Sequence, residues 1–367
     1  MAATQAQIAK KLGISRSTVA AALNPHSSVR LRPETRKLVE QEAGRLKYRP
    51  HRYAQIMRAG KSGLIGVFHF GGLAQVAAER AWHASRAIKE AGYQVLANDA
   101  SWNTGGVKAG CEAMLDAQVE GVIVAGLNDP LSVAELRSLQ AARIPMVTLS
   151  GNELPGTPQI RGDARDAFER LTRHLIALGR RRLLLLFSHT SRIQQQGSYI
   201  WAGVERLQGF KTALAAARGR TVSRFSLKPR GLQARIVELE FDSDPFDPFG
   251  QACKTMRELL TQHPPPDAVL CGNDDWAIGA LSALRENGFS VPRDVAVTGY
   301  DNIAVGAYLD VPLTTVAQPS QAMAERAVEL LLKKIQGKRV PSTPIKFPCE
   351  LIIRASCGAH SGDNRTA

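Results

Sequence analysis

The stretch that decides the fold of the N-terminal region is TQAQIAKKLGISRSTVAAALN, residues 4–24. Thr4 and Gln7 have the spacing of a capping box, and apolar residues then repeat on one helical face. Gly13 favours a left-handed helix stop, and Ser15 follows at the position of a cap for a second helix. Two short helices joined by a tight, glycine-containing turn predict a helix-turn-helix unit.

The second helix is the predicted reader of DNA bases, because in such units it lies in the major groove with its N-terminal side chains on base edges. The side chains expected to point outward are those of Arg16, Ser17, Ala20 and Ala21. Of these, only Arg16 can donate a pair of hydrogen bonds to one guanine. A phosphate contact or simple exposure to solvent is the alternative for Arg16.

A third helix is predicted to begin at Pro33, since proline is favoured at the first helical position. Its expected buried stripe consists of Leu38, Val39, Ala43 and Leu46. The second helix is expected to add Val19, Ala22 and Leu23 to the same core. The three helices together predict a small all-α bundle.

Positive charge is concentrated in this N-terminal module. Residues 1–61 contain thirteen lysine and arginine residues and three glutamates, a net charge of +10, whereas the whole chain carries +14. A strongly basic module joined to a nearly neutral body is typical of a protein that binds a polyanion such as DNA. A basic arm that only increases solubility is the alternative, but such arms lack the hydrophobic periodicity present here.

The rest of the chain alternates short apolar runs with helical patterns. The runs are 64–68, 94–97, 121–125, 145–149, 182–187, 268–271 and 295–298. The helical patterns lie near 76–91, 106–117, 131–142, 165–178, 200–217, 249–262, 274–287 and 319–336. This alternation predicts parallel sheets covered by helices on both faces, and the number of strands favours two doubly wound subdomains.

The segments IAKKLGISRSTVAAALN (8–24) and TRKLVEQEAGRLKYRPHRYAQIMRAGKSGLIGV (35–67), with the α/β body, resemble the LacI/GalR family of bacterial transcription regulators over about residues 4–357. The resemblance implies DNA contacts at Thr4, Ser15, Arg16, Ser17, Thr18, Ala21, Asn24, Ala54 and Met57. The family often has a base-reading arginine where this chain has Ala21, so base recognition is expected to fall on Arg16 and Ser17.

Residues 49–61 resemble the hinge helix of the family. Met57 stands where the family usually has a leucine that wedges open a base step in the minor groove, and methionine is also used in that way. Packing of Met57 within its own bundle is the alternative. The hinge is too short to be a stable helix alone in water, so DNA binding is expected to order it.

The resemblance also implies a periplasmic-binding-protein-like core whose chain crosses between two subdomains near residues 163, 317 and 344. The expected division is a DNA-binding domain 1–48, the hinge 49–61, an N-subdomain 62–163 plus 318–343, a C-subdomain 164–317 plus 344–357, and a disordered tail 358–367. Ligands of open parallel sheets bind beyond the carboxyl ends of the strands, so the cleft between the subdomains is the expected effector site.

The effector contacts implied by the resemblance are Arg206, Asn273, Asp301 and Asp163. An arginine and a carboxylate that face one cleft suit a hydroxylated, sugar-like ligand. A structural salt bridge is the alternative for Arg206 and Asp301, and Asp274 is expected to cap the helix that begins with Trp276.

No metal or cofactor is expected, because the five cysteines are scattered without ligand spacing and no Gly-rich dinucleotide loop or nucleophile elbow is present. No apolar run reaches the roughly 20 residues of a membrane helix, so a cytoplasmic protein with no membrane contact is expected. The tail lacks apolar heptads, which favours a homodimer and suits a two-fold symmetric double-stranded DNA operator.

The predicted function is a transcription regulator, most simply a repressor, that responds to a small molecule such as a sugar. The sequence leaves open whether the effector releases DNA or promotes its binding. A solute-binding receptor, or an enzyme on the same core fold, is the alternative.

Overall fold

The computed structural model describes residues 3–23, 29–48, 61–69, 75–99, 104–127, 130–188, 201–218, 231–239, 247 and 249–359. The chain divides into two compact units, Met1–Gly63 and Leu64–Ala367. None of the helices within the described ranges is both long enough and apolar enough to cross a lipid bilayer.

The first unit is a three-helix bundle. Its helices are α1 (Gln5–Leu12), α2 (Arg16–Ala22) and α3 (Pro33–Arg45). The capping box forms as predicted, because the Gln7 N–H donates to the Thr4 hydroxyl and the Gln7 side chain accepts from the Thr4 N–H. Gly13 ends α1 in the left-handed conformation, with φ of 63°, which a residue with a Cβ adopts only at a cost.

Two side chains of this bundle lie differently from the prediction. Ala21 was expected to point outward but is only 9% exposed, because α2 packs against both α1 and α3 and so buries a wide face. Leu38 was expected in the core but is 55% exposed. Val39 and Ala43, four residues apart, take the inward positions of α3, and Leu38 lies about 100° away from Val39 around the helix.

The second unit contains a six-stranded, fully parallel sheet with the order β11-β5-β4-β3-β1-β2. Its strands are β1 (Leu64–His69), β2 (Gln94–Asp99), β3 (Gly121–Leu127), β4 (Met146–Gly151), β5 (Gln159–Gly162) and β11 (Ile345–Phe347). The helices that follow its strands or return to it are α4 (Gln75–Glu90), α5 (Thr104–Asp116), α6 (Pro130–Ala141) and α11 (Ser320–Ile335).

A second parallel sheet has the order β7-β6-β8-β9. Its strands are β6 (Arg182–Ser188), β7 (Gln233–Leu239), β8 (Ala268–Cys271) and β9 (Ala296–Thr298). Its helices are α7 (Ala164–Ala177), α8 (Trp201–Arg218), α9 (Gly250–Gln262) and α10 (Asp274–Glu286). A separate antiparallel pair joins β10 (Thr315–Ala317) and β12 (Glu350–Ile352).

These sheets confirm the predicted fold class. Alternate residues of the central strands enter opposite cores, as a strand's period of two requires: Leu183 and Leu185 lie on one face of the second sheet, and Leu184 and Leu186 on the other. Burial of both faces explains why these strands read as continuous apolar runs.

The chain passes from the first sheet to the second between β5 and α7, and returns between β10 and α11. The expected third crossing near residue 344 is wrong in position, because β11 pairs with β5 in the first sheet. The crossing follows Phe347, and β12 then pairs with β10. Residues 345–352 therefore form two short strands of different sheets, which are joined through Pro348 and Cys349.

Candidate functional site

Several charged side chains meet beyond the carboxyl ends of the parallel strands of the two sheets. Asp301 follows β9, Arg206 lies on α8 after β6, and Arg80 lies on α4 after β1. Arg80 therefore comes from the first sheet's subdomain, and Asp301 and Arg206 come from the second. The site lies where ligands of open α/β sheets bind.

Asp301 is the buried acid of this site. Its Oδ1 accepts a hydrogen bond of 2.6 Å from Gln318 Nε2 and lies 3.9 Å from Arg80 Nη2. The side chains of Asp301 and Arg80 are each only 9% exposed. Burial raises the pKa of Asp301, and the charges of Arg206 and Arg80 counteract part of that rise.

Arg206 stacks on an aromatic ring next to this acid. Its Cζ lies 4.2 Å from the centre of the Tyr300 ring, within the range of a cation–π contact. Tyr300 is 1% exposed, and burial raises the pKa of its hydroxyl. The structure thus brings Arg206 and Asp301, both predicted from the family pattern, into one site.

The backbone of the Asp301 loop is strained. Asp301 has φ of 112° and Asn302 has φ of 54°, values that residues other than glycine rarely adopt. The Asp301 N–H donates to the carbonyl of Val316 at 2.8 Å, and Arg354 donates to Asn302 Oδ1 at 2.7 Å. These contacts hold the loop in a conformation of the kind that concentrates at functional sites.

Asp274 stabilises this loop through two hydrogen bonds. Its two carboxylate oxygens accept from Thr315 Oγ1 at 2.6 Å and from the Ile303 N–H at 2.8 Å. Burial raises the pKa of Asp274 to about 7, although both hydrogen bonds act in the opposite direction. At Gly299 a Cβ would overlap an oxygen of Asp274, so glycine is required there. Asp274 therefore stabilises the Asp301 loop and is not the helix cap that the sequence predicts.

The cap of α10 is Asn273, whose Oδ1 accepts from the Trp276 N–H at 2.8 Å. Asn273 was expected to contact the effector, but its Oδ1 is used in this cap. Asp163 likewise caps α7, accepting from the Asp166 N–H at 3.3 Å, and lies 3.5 Å from Lys346 Nζ. Lys346 in turn lies 3.3 Å from Glu205. Local helix capping thus accounts for the positions of Asn273 and Asp163.

Arg80 and Gln318 are the members of this site that sequence reasoning missed. The buried residues of α4 are Ala77, Arg80, Ala84 and Ile88. An arginine in that stripe of small and apolar residues, at helical spacing, is the signal that could have identified Arg80. Gln318 has no such local signal, because its role depends only on where the chain crosses back between the subdomains.

The first unit presents the beginning of α2 to solvent. Ser15 caps α2 by accepting from the Thr18 N–H at 3.0 Å, and its hydroxyl also lies 2.7 Å from that of Ser17. Arg16 and Ser17 are exposed. Lys11, by contrast, pairs with Glu42 of α3 at 3.2 Å. The exposed helix start therefore offers one cation and a row of hydroxyl groups.

Several predicted positions lie outside the described residues. They are Asn24, the hinge positions 49–60 with Ala54 and Met57, and the tail from residue 360 onward.

Comparisons with known proteins agree with this architecture. A family model described as a periplasmic binding protein-like domain matches residues 172–357. The HTH-type transcriptional repressor PurR of Glaesserella parasuis serovar 5 (strain SH0165) is 27% identical over 361 residues, covering 96% of this chain and 98% of PurR. The match to PurR extends over both the helical unit and the two-sheet unit, whereas the family model lies within the two-sheet unit.

Two solved structures are similar in fold. A lac repressor dimer bound to operator and the anti-inducer ONPF gives a TM-score of 0.79 at 24% identity, covering 98% of this chain and 100% of that chain. A complex of the transcriptional regulator CelR with cellobiose gives a TM-score of 0.64 at 25% identity, covering 96% of this chain and 99% of CelR.

Proposed function

Because this chain belongs to the LacI/GalR family of transcription regulators, we propose that it is a dimeric repressor that binds a two-fold symmetric DNA operator and responds to a small effector. The observation that carries the proposal is the exposed, Ser15-capped start of α2 in a basic three-helix unit. Arg16 and Ser17 lie at the helical positions from which side chains reach base edges in the major groove.

The geometry of α2 supports the following roles for the residues that we propose to contact DNA. Ser15 and Thr18 hold the helix start and bind phosphate oxygens, while Arg16 and Ser17 read bases. Ala21 packs within the bundle and contributes no base contact. Thr4 caps α1, and we propose that it makes a second contact with the DNA backbone. Hinge contacts by Ala54 and Met57 are part of the same proposal.

The effector binds in the cleft where Arg80, Arg206 and Asp301 meet. The cellobiose bound by CelR supports a sugar-like effector for this chain as well. Because ligand contacts would come from both subdomains, the effector binds one relative arrangement of the subdomains more tightly than another. It shifts the population toward that arrangement and so alters operator affinity.

A selection of binding sites from a random pool of DNA duplexes tests the proposal. The full-length protein should enrich a two-fold symmetric site, since a C2 dimer presents two identical α2 helices. A variant with Arg16→Ala and Ser17→Ala should lose that enrichment while it remains folded and dimeric. Enrichment of an asymmetric site, or no enrichment by the wild-type protein, would refute a dimeric repressor.

A further inference from the structure

Arg80 and Arg206 place two guanidinium groups against one buried carboxylate. Arg80 is buried, and the carboxylate atom that lies nearest to it among the described residues, Asp301 Oδ1, is 3.9 Å from its Nη2, beyond hydrogen-bond distance. That oxygen already accepts from Gln318. Asp301 therefore provides incomplete compensation for the charge of Arg80.

Donors on both arginines remain unused. The Nε of Arg80 and the Nε of Arg206 are buried, and neither has a hydrogen-bond partner among the described residues. A buried donor without a partner costs free energy, and more when the group is charged. A ligand that accepts hydrogen bonds from these groups would recover that cost.

The two cations also repel each other. Burial lowers the pKa of Arg80, the charge of Asp301 counteracts part of that effect, and the charge of Arg206 lowers the pKa further. An anion placed between two guanidinium groups removes this repulsion, whereas a neutral hydroxyl group does not.

Among the residues that the structure describes, the other carboxyl groups near the two arginines do not take the place of such an anion. Glu79 is 44% exposed and lies 3.6 Å from His83. The carboxylate oxygens of Asp274 already accept hydrogen bonds from Thr315 Oγ1 and the Ile303 N–H. Burial and the charge of Asp301 raise the pKa of Asp275 to about 6, and neither arginine contributes to that shift.

We propose that the effector of this cleft is an anion, a sugar-like molecule with a carboxylate or phosphate group, and that Arg80 and Arg206 bind that group together. The planar guanidinium fork matches the geometry of both oxyanions. Arg80 is then the residue that selects acids over neutral sugars. The inference rests on the proposed effector cleft and specifies the chemical class of its ligand.

The test compares matched ligands by calorimetry on the full-length protein. Glucose, galactose and mannose are each paired with their aldonate and their hexose phosphate. We expect at least one acid to bind about tenfold or more tightly than its parent hexose, since hydrogen bonds to charged groups are the stronger ones. The aldonate and phosphate arms distinguish the two oxyanions. Inorganic phosphate should compete with the acid.

Variants of Arg80 assign the preference to this residue. Arg80→Gln should reduce the ratio of acid to hexose affinity by about tenfold, and Arg80→Lys should leave part of it, because lysine keeps the charge but not the fork. Lys89→Gln is the matched control, since it removes a positive charge from an exposed position of the same helix. A merely structural Arg80 would change both affinities alike.

The inference is wrong if no acid binds up to millimolar concentration, if a hexose binds as tightly as its acids, or if Arg80→Gln leaves the ratio unchanged. Thermal unfolding reports whether each variant is folded. If Arg80→Gln does not fold, the acid-to-hexose ratio of Arg80→Lys and its competition by inorganic phosphate decide the question. Binding of the selected operator DNA is measured on the same protein preparations. Operator binding without acid preference overturns this inference alone, whereas loss of operator binding by the wild type overturns the proposed function.

Discussion

Asp274 is a single buried residue whose hydrogen bonds with Thr315 and Ile303 support the Asp301 loop. Its pKa of about 7 lies above the ordinary 3.8, so the folded protein favours the protonated carboxyl. The stability that this group contributes is fully present below about pH 4 and is lost as the pH rises through about 7. Asp275, with a pKa of about 6, acts in the same direction.

We predict that Asp274→Asn flattens the pH dependence of stability. Between about pH 5 and 8, the wild-type free energy of unfolding should fall by on the order of 2 kcal/mol more than that of the variant, because asparagine has no proton to lose. Denaturant titrations across this range measure the difference. Asp116→Asn, at an exposed position of α5, should keep the wild-type slope. Equal slopes for wild type and Asp274→Asn would contradict the prediction.

Arg16 is the residue on which operator specificity should depend. Arg16→Ala should relax the preference at one guanine and cost about 1–3 kcal/mol of binding, because a bidentate base contact is lost. Lys10→Ala should weaken binding to all sequences alike. Lys11 is a poor comparison because it pairs with Glu42. Site selection with each variant measures these effects, and an unchanged preference in Arg16→Ala would show that Arg16 contacts only phosphate.

The proposed DNA-recognition helix, α2, has only seven residues. A helix of this length is not stable alone in water and depends on its cap and on packing. Ser15 provides that cap and also orders the hydroxyl groups of Ser17 and Thr18. Loss of the cap therefore affects both the stability of the helix and the position of its contacts.

We predict that Ser15→Ala destabilises α2 by about 1 kcal/mol. Amide hydrogen exchange in α2 should become about fivefold faster, which is the change that this free energy produces in an opening equilibrium. Ser15→Asp, which retains a capping oxygen, should restore wild-type exchange. If Ser15→Ala exchanges at the wild-type rate, bundle packing alone holds the helix.

For the whole molecule, the distribution of charge gives DNA binding and effector binding a different dependence on salt. Residues 1–61 carry +10 of the total +14, and phosphate contacts by these residues release counterions from DNA. The proposed effector site, in contrast, contains a few buried charges, which salt screens only weakly.

We predict that operator affinity falls steeply with salt and that effector affinity does not. The slope of log K against log salt should be about −0.9 for each phosphate contacted. Fluorescence anisotropy with labelled operator, and calorimetry with the effector, measure the two slopes on the same protein. A shallow slope for operator binding would mean that the basic unit makes few phosphate contacts.

The sequence by itself determined the class of fold and most helix ends. The observed bounds of α7, Ala164–Ala177, and of α10, Asp274–Glu286, differ by one residue at each end or less from the predicted 165–178 and 274–287. Helix periodicity, caps and continuous apolar runs are local signals, so they can be recognised in the sequence without the tertiary structure. The edge strand β7 was missed because its side chains are mostly exposed or half-buried, which leaves no continuous apolar run.

Only the tertiary structure decided which short strand joins which sheet and which charges meet. The three residues of β11 gain their hydrogen-bond partners from β5, almost 200 positions earlier, and no local pattern encodes that pairing. Arg206 and Asp301 were predicted from family positions, but the partnership of Asp301 with Arg80 and Gln318 arises from the chain crossings between the subdomains. Contacts between residues so distant in sequence are set by the packing of whole elements, and their charges become interpretable only when burial and distance are known.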